Sequence, residues 1–189
     1  MNLPEILQQH FKYAPLLKID PNTQELAIKD APVVNSIGQA AIPVILIGLY
    51  KFSRTDAGAA AIISGDNSPN WVTTIFADQS PQIIKRVAEY AGTTYENTES
   101  TLNNIASKAV ALIKEAVAPD YKLTAIKELL STQRNNILTY LPAVLHTGEL
   151  IDDTTVDDRT NKMEGPISSL IQAIGSGFTG SDKDEKSGK

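Results

Sequence analysis

Two stretches of this chain share one plan. Residues 37–64, IGQAAIPVILIGLYKFSRTDAGAAAIIS, and residues 102–131, LNNIASKAVALIKEAVAPDYKLTAIKELLS, each read as a long helix of small and aliphatic residues, a polar break and a shorter apolar helix. A unit with one apolar face needs a second copy to cover it. The pattern therefore predicts an all-α domain of about 8–9 helices over residues 1–178. Its related halves span roughly 1–66 and 80–146, with a closing helix over 166–178 and a flexible charged tail over 179–189. The proline-bearing helix of the first half should pack on the long helix of the second.

Periodicity fills in the elements. Asn2 can cap a helix from Leu3 to Phe11. A helix is expected to begin at Pro32, to run to about Phe52 and to hold Pro43 in its interior. Thr55 or Asp56 precedes a short helix, and Trp71, Val72, Ile75 and Phe76 form another apolar stripe. Ser80-Pro81 reads as a cap followed by a first-turn proline. Tyr95–Val117 is the longest unbroken pattern, Asp120 would cap the next helix, and Gln133–Leu145 reads as a further helix around Pro142. Nowhere does apolar and polar alternation persist as a strand requires.

Composition narrows the function. The 189 residues include no cysteine, which removes disulfides, thiolate nucleophiles and sulfur-based zinc sites. A net charge of −5 opposes phosphate backbones, so nucleic acid is not an expected partner. Ala31–Tyr50 has the length of a membrane span, but Asn35, Ser36 and Gln39 and two prolines interrupt it. The expectation is a core helix and no membrane span. The opening MNLPEILQQHFKYAPLLK lacks the plan of a signal peptide, so a cytoplasmic location is expected, with export by another machine left open.

At Leu129–Leu145, LLSTQRNNILTYLPAVL, the chain resembles the YidB-like bacterial proteins of unknown function. That family has a small-residue helix ending in alanine-x-proline-aliphatic-aliphatic, here Ala41, Pro43, Val44 and Ile45, followed by Gly48 and Leu49. It also has a leucine-rich stretch, a glutamine, a polar pair and a leucine-proline, here Leu129, Leu130, Gln133, Asn136, Ile137, Leu141 and Pro142. The resemblance implies a helical fold and supplies no catalytic residues.

Candidate chemistry is sparse. His10 and His146 have no second histidine within a turn, and no HExxH or Gly-x-Ser-x-Gly motif occurs. Asp153, Thr155, Asp157 and Glu164 fall at the first, third, fifth and twelfth positions of a calcium loop. Asp158 stands where that loop wants glycine, and Arg159 adds a repelling charge, so a solvated acidic loop is the alternative. A carboxylate enzyme would use Asp152, Asp153, Asp157 and Asp158. Trp71 is the partner-binding candidate if exposed, with burial beside Val72, Ile75 and Phe76 the competing outcome. Lys85-Arg86 and Arg134 read as solvated face positions. The leading reading assigns no catalytic residue, cofactor or metal. It describes a non-enzymatic helical interaction or scaffold protein with an unknown protein partner or a second copy of itself. Cargo or effector of a secretion or injection system is the runner-up.

Overall fold

The computed structural model describes residues 1–19, 37–65 and 70–150. Among them the regular structure is helical: α1 (Leu3–His10), α2 (Ile37–Phe52), α3 (Asp56–Ser64), α4 (Trp71–Phe76), α5 (Ser80–Ala91), α6 (Tyr95–Ala116), α7 (Leu123–Leu138) and the single turn α8 (Thr147–Leu150). No helix among the described residues is long and apolar enough to cross a membrane.

The architecture follows from α2. From Gly38 to Leu49 its sequence is apolar all round but for Gln39, and a helix of that kind has no face to give to water. Every residue from Gly38 to Leu49 is buried. α1, α4, α5, α6 and α7 pack around it, with α6 and α7 making the most extensive contacts. The proline-bearing helix thus lies against the long helix, as the sequence predicts. α3 packs on α6 and α7. α6 turns Leu102, Ile105, Ala106, Ala109, Val110 and Ile113 inward, a stripe at helical spacing. Gly48 lets α4 come close: a Cβ there would lie 2.4 Å from Phe76 Cζ.

Helix ends are fixed by side chains. The Thr55 hydroxyl accepts from the Gly58 amide at 3.0 Å, and Asn70 Oδ1 accepts from Thr73 at the same distance. Gly65 closes α3 in the left-handed conformation, with Lys114 Nζ donating to the Ser64 carbonyl at 3.0 Å. An ion pair between Lys127 Nζ and Asp56 Oδ1, 2.6 Å apart, ties α3 to α7.

Four local expectations are corrected. Asn2 occupies the cap position of α1 without a side-chain cap bond. Ser80 is already helical, because the 3-10 turn Ala77–Gln79 runs straight into α5, and its hydroxyl donates back to the Ala77 carbonyl at 2.8 Å. Asp120 does not cap α7. Tyr121 adopts φ +44° and places Lys122 at the cap, so the Asp120 carboxylate pairs with Lys122 Nζ at 3.4 Å instead. No break precedes Gln133. α7 runs through it to Leu138, and Pro142 falls in the corner beyond the helix. The polar run Ser131-Thr132-Gln133 contains no helix breaker, and Gln133 is on the buried face.

Candidate functional site

The acidic candidates Asp152, Asp153, Thr155, Asp157, Asp158 and Glu164 lie outside the described residues, as do the closing helix over 166–178 and the tail. His10 is exposed at the end of α1, its ring edge-on to Phe11. His146 sits at φ +43° with Nδ1 3.8 Å from Glu149 Oε1. Among the described residues no three His, Cys, Asp or Glu side chains gather to hold a metal ion. Trp71 is 5% exposed and belongs to the central core, which corrects its candidacy as an exposed partner anchor. Its neighbours in the apolar stripe, Val72 and Phe76, draw it inward with them.

Polar side chains do converge on the N-terminal segment. Gln39 is 3% exposed in an otherwise apolar helix. A buried amide must find partners. Its Oε1 accepts from the Leu17 amide at 2.8 Å, and its Nε2 donates to the Leu17 carbonyl at 3.0 Å and to the Tyr140 carbonyl at 2.8 Å. Both backbone groups of Leu17 are thus read by one side chain, in the way a neighbouring strand would read them. Two residues on, the Ile19 amide donates to the Thr139 carbonyl at 2.8 Å. Before Leu17, the Tyr13 ring lies on Gly38: a Cβ there would be 2.7 Å from Tyr13 Cγ. Gln8 of α1 donates through Nε2 to the Tyr13 carbonyl. Gln133 holds the start of the chain in the same manner, accepting from the Leu3 amide at 3.1 Å and donating to the Met1 carbonyl at 3.0 Å.

Residues 13–19 therefore form a non-helical strap across the start of α2 and the corner after α7. Tyr13 and Leu16 pack on the core and Ile19 is buried, while Ala14, Pro15 and Lys18 are exposed.

Two phenols at this site are held protonated beyond their usual value of 10.0. Burial raises Tyr13. Burial raises Tyr140 too, helped by the charge of Glu5, whose Oε1 accepts from its hydroxyl at 3.3 Å. A group with a raised native pKa contributes stability that is complete below its unfolded value and is lost as pH rises through the native one. The strap should therefore hold up to about pH 10 and loosen above it. Hydrogen-exchange protection of Leu17 and Ile19, followed by mass spectrometry from pH 8 to 11 after correction for intrinsic rates, should fall before that of α6. Uniform loss across the chain would contradict this.

A second clamp holds the end of the described chain. Arg86 Nη1 donates to the carbonyls of Leu145 at 3.0 Å and His146 at 2.9 Å, and Nη2 lies 3.6 Å from Glu149 Oε2. This corrects the solvated-face reading of Arg86, whose side chain is 24% exposed, while Lys85 beside it does point to water and pairs with Glu89. Arg86→Met should strip exchange protection from residues 146–149 with little change in global stability, because Leu145 keeps its buried seat.

Sequence reading missed Gln39, Gly38 and Tyr13 as a site. A signal existed, since Gln39 is the lone amide in the helix and directly follows a glycine. No family model, curated protein or solved structure matches this chain.

Proposed function

We propose that the chain is a non-enzymatic helical interaction or scaffold protein. The observation that carries this reading is where its buried polar side chains go. Among the described residues Gln39, Gln133, Ser53, Ser80 and Thr98 are buried and each hydrogen-bonds the chain's own backbone, while the hydroxyl of the sixth buried polar residue, Thr147, has no partner. Groups committed in this way hold the fold and are not poised to move protons or activate a nucleophile, work that needs titratable groups in reach of a substrate.

Membership of the YidB-like group and the plan of two related halves belong to the same proposal. In support, Ala41, Pro43, Val44 and Ile45 sit in the buried central helix, and Leu130, Gln133, Ile137 and Leu141 are buried where α7 meets the N-terminal segment. Most residues that carry the resemblance are thus buried, while Leu129 and Asn136 are half-buried.

The test is affinity capture with the full chain from native lysate, followed by mass spectrometry. A stoichiometric protein partner that survives a salt wash is the expected result. Reproducible turnover of a small molecule when the purified chain is added to a metabolite extract would overturn the reading.

A further inference from the structure

We propose that the seat under residues 13–19 is a binding groove for an extended peptide, and that the chain's own strap is its intramolecular, displaceable occupant. The inference rests on the interaction reading above and names the class of partner. Three features of the seat are those of peptide-strand recognition. Gln39 reads the amide and carbonyl of Leu17, and the Thr139 carbonyl takes the Ile19 amide. These contacts are blind to side-chain identity, so another sequence can make them. Gly38 supplies a flat floor for one aromatic ring: the three atoms nearest a Cβ built there all belong to Tyr13. Leu16 and Ile19 fill apolar positions beyond it, while Ala14, Pro15 and Lys18 face water.

The occupant's chemistry follows from the segment already seated. The groove takes an extended segment with an aromatic residue followed at the third and sixth positions by aliphatic ones. Main-chain bonds supply the grip and the spaced side chains the selection. The strap belongs to the same chain as the groove, so it competes intramolecularly, at an effective concentration on the order of millimolar. An external peptide therefore enters only if it binds tightly or if the strap is weakened, which makes the strap an autoinhibitory contact.

The experiment uses the full chain and a fluorescent peptide of residues 12–19 (Lys12 to Ile19), read by anisotropy. Tyr13→Ala weakens the tethered strap and leaves the floor open, so it should bind the peptide at least about tenfold more tightly than the unaltered chain. Adding Gly38→Ala to that variant places a methyl group on the floor, where it blocks the seat of an aromatic ring and of the Cβ that carries it. The three atoms nearest that methyl group all belong to residue 13 of the strap, including the Cβ that alanine keeps 2.9 Å away, so the strap should lift while α2 stays in place, and peptide binding should return to the unaltered level or lower. Equal affinity of the unaltered and Tyr13→Ala chains, or binding that survives Gly38→Ala, would overturn the groove. A Tyr13→Ala chain that light scattering finds dimeric would also overturn it, by assigning the seat to a second copy. A partner captured from lysate that leaves the exchange protection of Leu17 and Ile19 unchanged would sink the groove and leave the interaction reading standing.

Discussion

Replacing Gln39 with leucine should lower the unfolding free energy by about 3 kcal/mol, although the residues around it from Gly38 to Leu49 are apolar. On hydrophobicity alone the change is favourable, since one more buried aliphatic side chain is worth about 1.5–3 kcal/mol. The opposing effect is larger. The Leu17 amide, the Leu17 carbonyl and the Tyr140 carbonyl each lose their partner at once. A backbone group left unpaired costs about 1–3 kcal/mol, with the buried Tyr140 bond at the upper end and the two part-buried Leu17 bonds at the lower. Three such losses against one gain set the sign. Urea denaturation should show a lower midpoint at unchanged slope. Exchange protection at Leu17 and Ile19 should disappear first, because Gln39 is the side chain that fastens the strap to α2. A variant as stable as the original would mean that the strap's backbone groups find water at no cost.

Gly58→Ala is the second large effect, and here too the local expectation has the wrong sign. Gly58 lies inside α3, where helix propensity favours alanine by about 1 kcal/mol. In the folded chain a Cβ at this position would lie 2.0 Å from the Phe52 carbonyl oxygen, a contact no atom pair tolerates. The obstacle is backbone at the end of α2, and it cannot swing aside as a side-chain tip can. The α2–α3 corner would have to open, drawing the buried Ala59 and Ile62 away from α6 and α7. Overpacking of a core costs about 1–3 kcal/mol, and a backbone obstacle places this variant at the upper end, so a net loss of about 2 kcal/mol is expected. Gly92→Ala provides the contrast. No atom lies within 4 Å of its Cβ, and only its φ of +62° opposes the change, for a cost of about 1 kcal/mol. If thermal denaturation finds Gly58→Ala at or above the stability of Gly92→Ala, the close-packed corner is wrong.

Much of the helical plan was legible before any coordinates. Tyr95–Ala116 and the Thr55-capped α3 sit where periodicity and cap chemistry place them. Those signals are local, carried by residues three and four apart. Where reading failed, the deciding partner was remote in sequence. Gln133 looked like the polar start of a new helix, but it is a buried residue within α7 because Met1 and Leu3 are there to be held. Arg86 looked like a surface cation until the carbonyls of Leu145 and His146 were placed beneath it. The strap shows no periodicity at all, since its regularity lies in bonds to Gln39 and Thr139 rather than in its own residues.

The amino-acid sequence alone determined that the described residues form helices around one helix too apolar to face water. It also determined that no cysteine chemistry is available and that one long helix starts at Tyr95, read as ending at Val117, one residue past its observed end at Ala116. These properties follow from composition and short-range spacing. Only the tertiary structure decided that Trp71 is core, that α7 continues through Gln133, and that residues 13–19 lie across Gly38 and Gln39. The physical reason is that a buried amide or a missing Cβ has no preference of its own. What it does is set by the backbone group brought against it, and that neighbour is chosen by the packing of the whole chain.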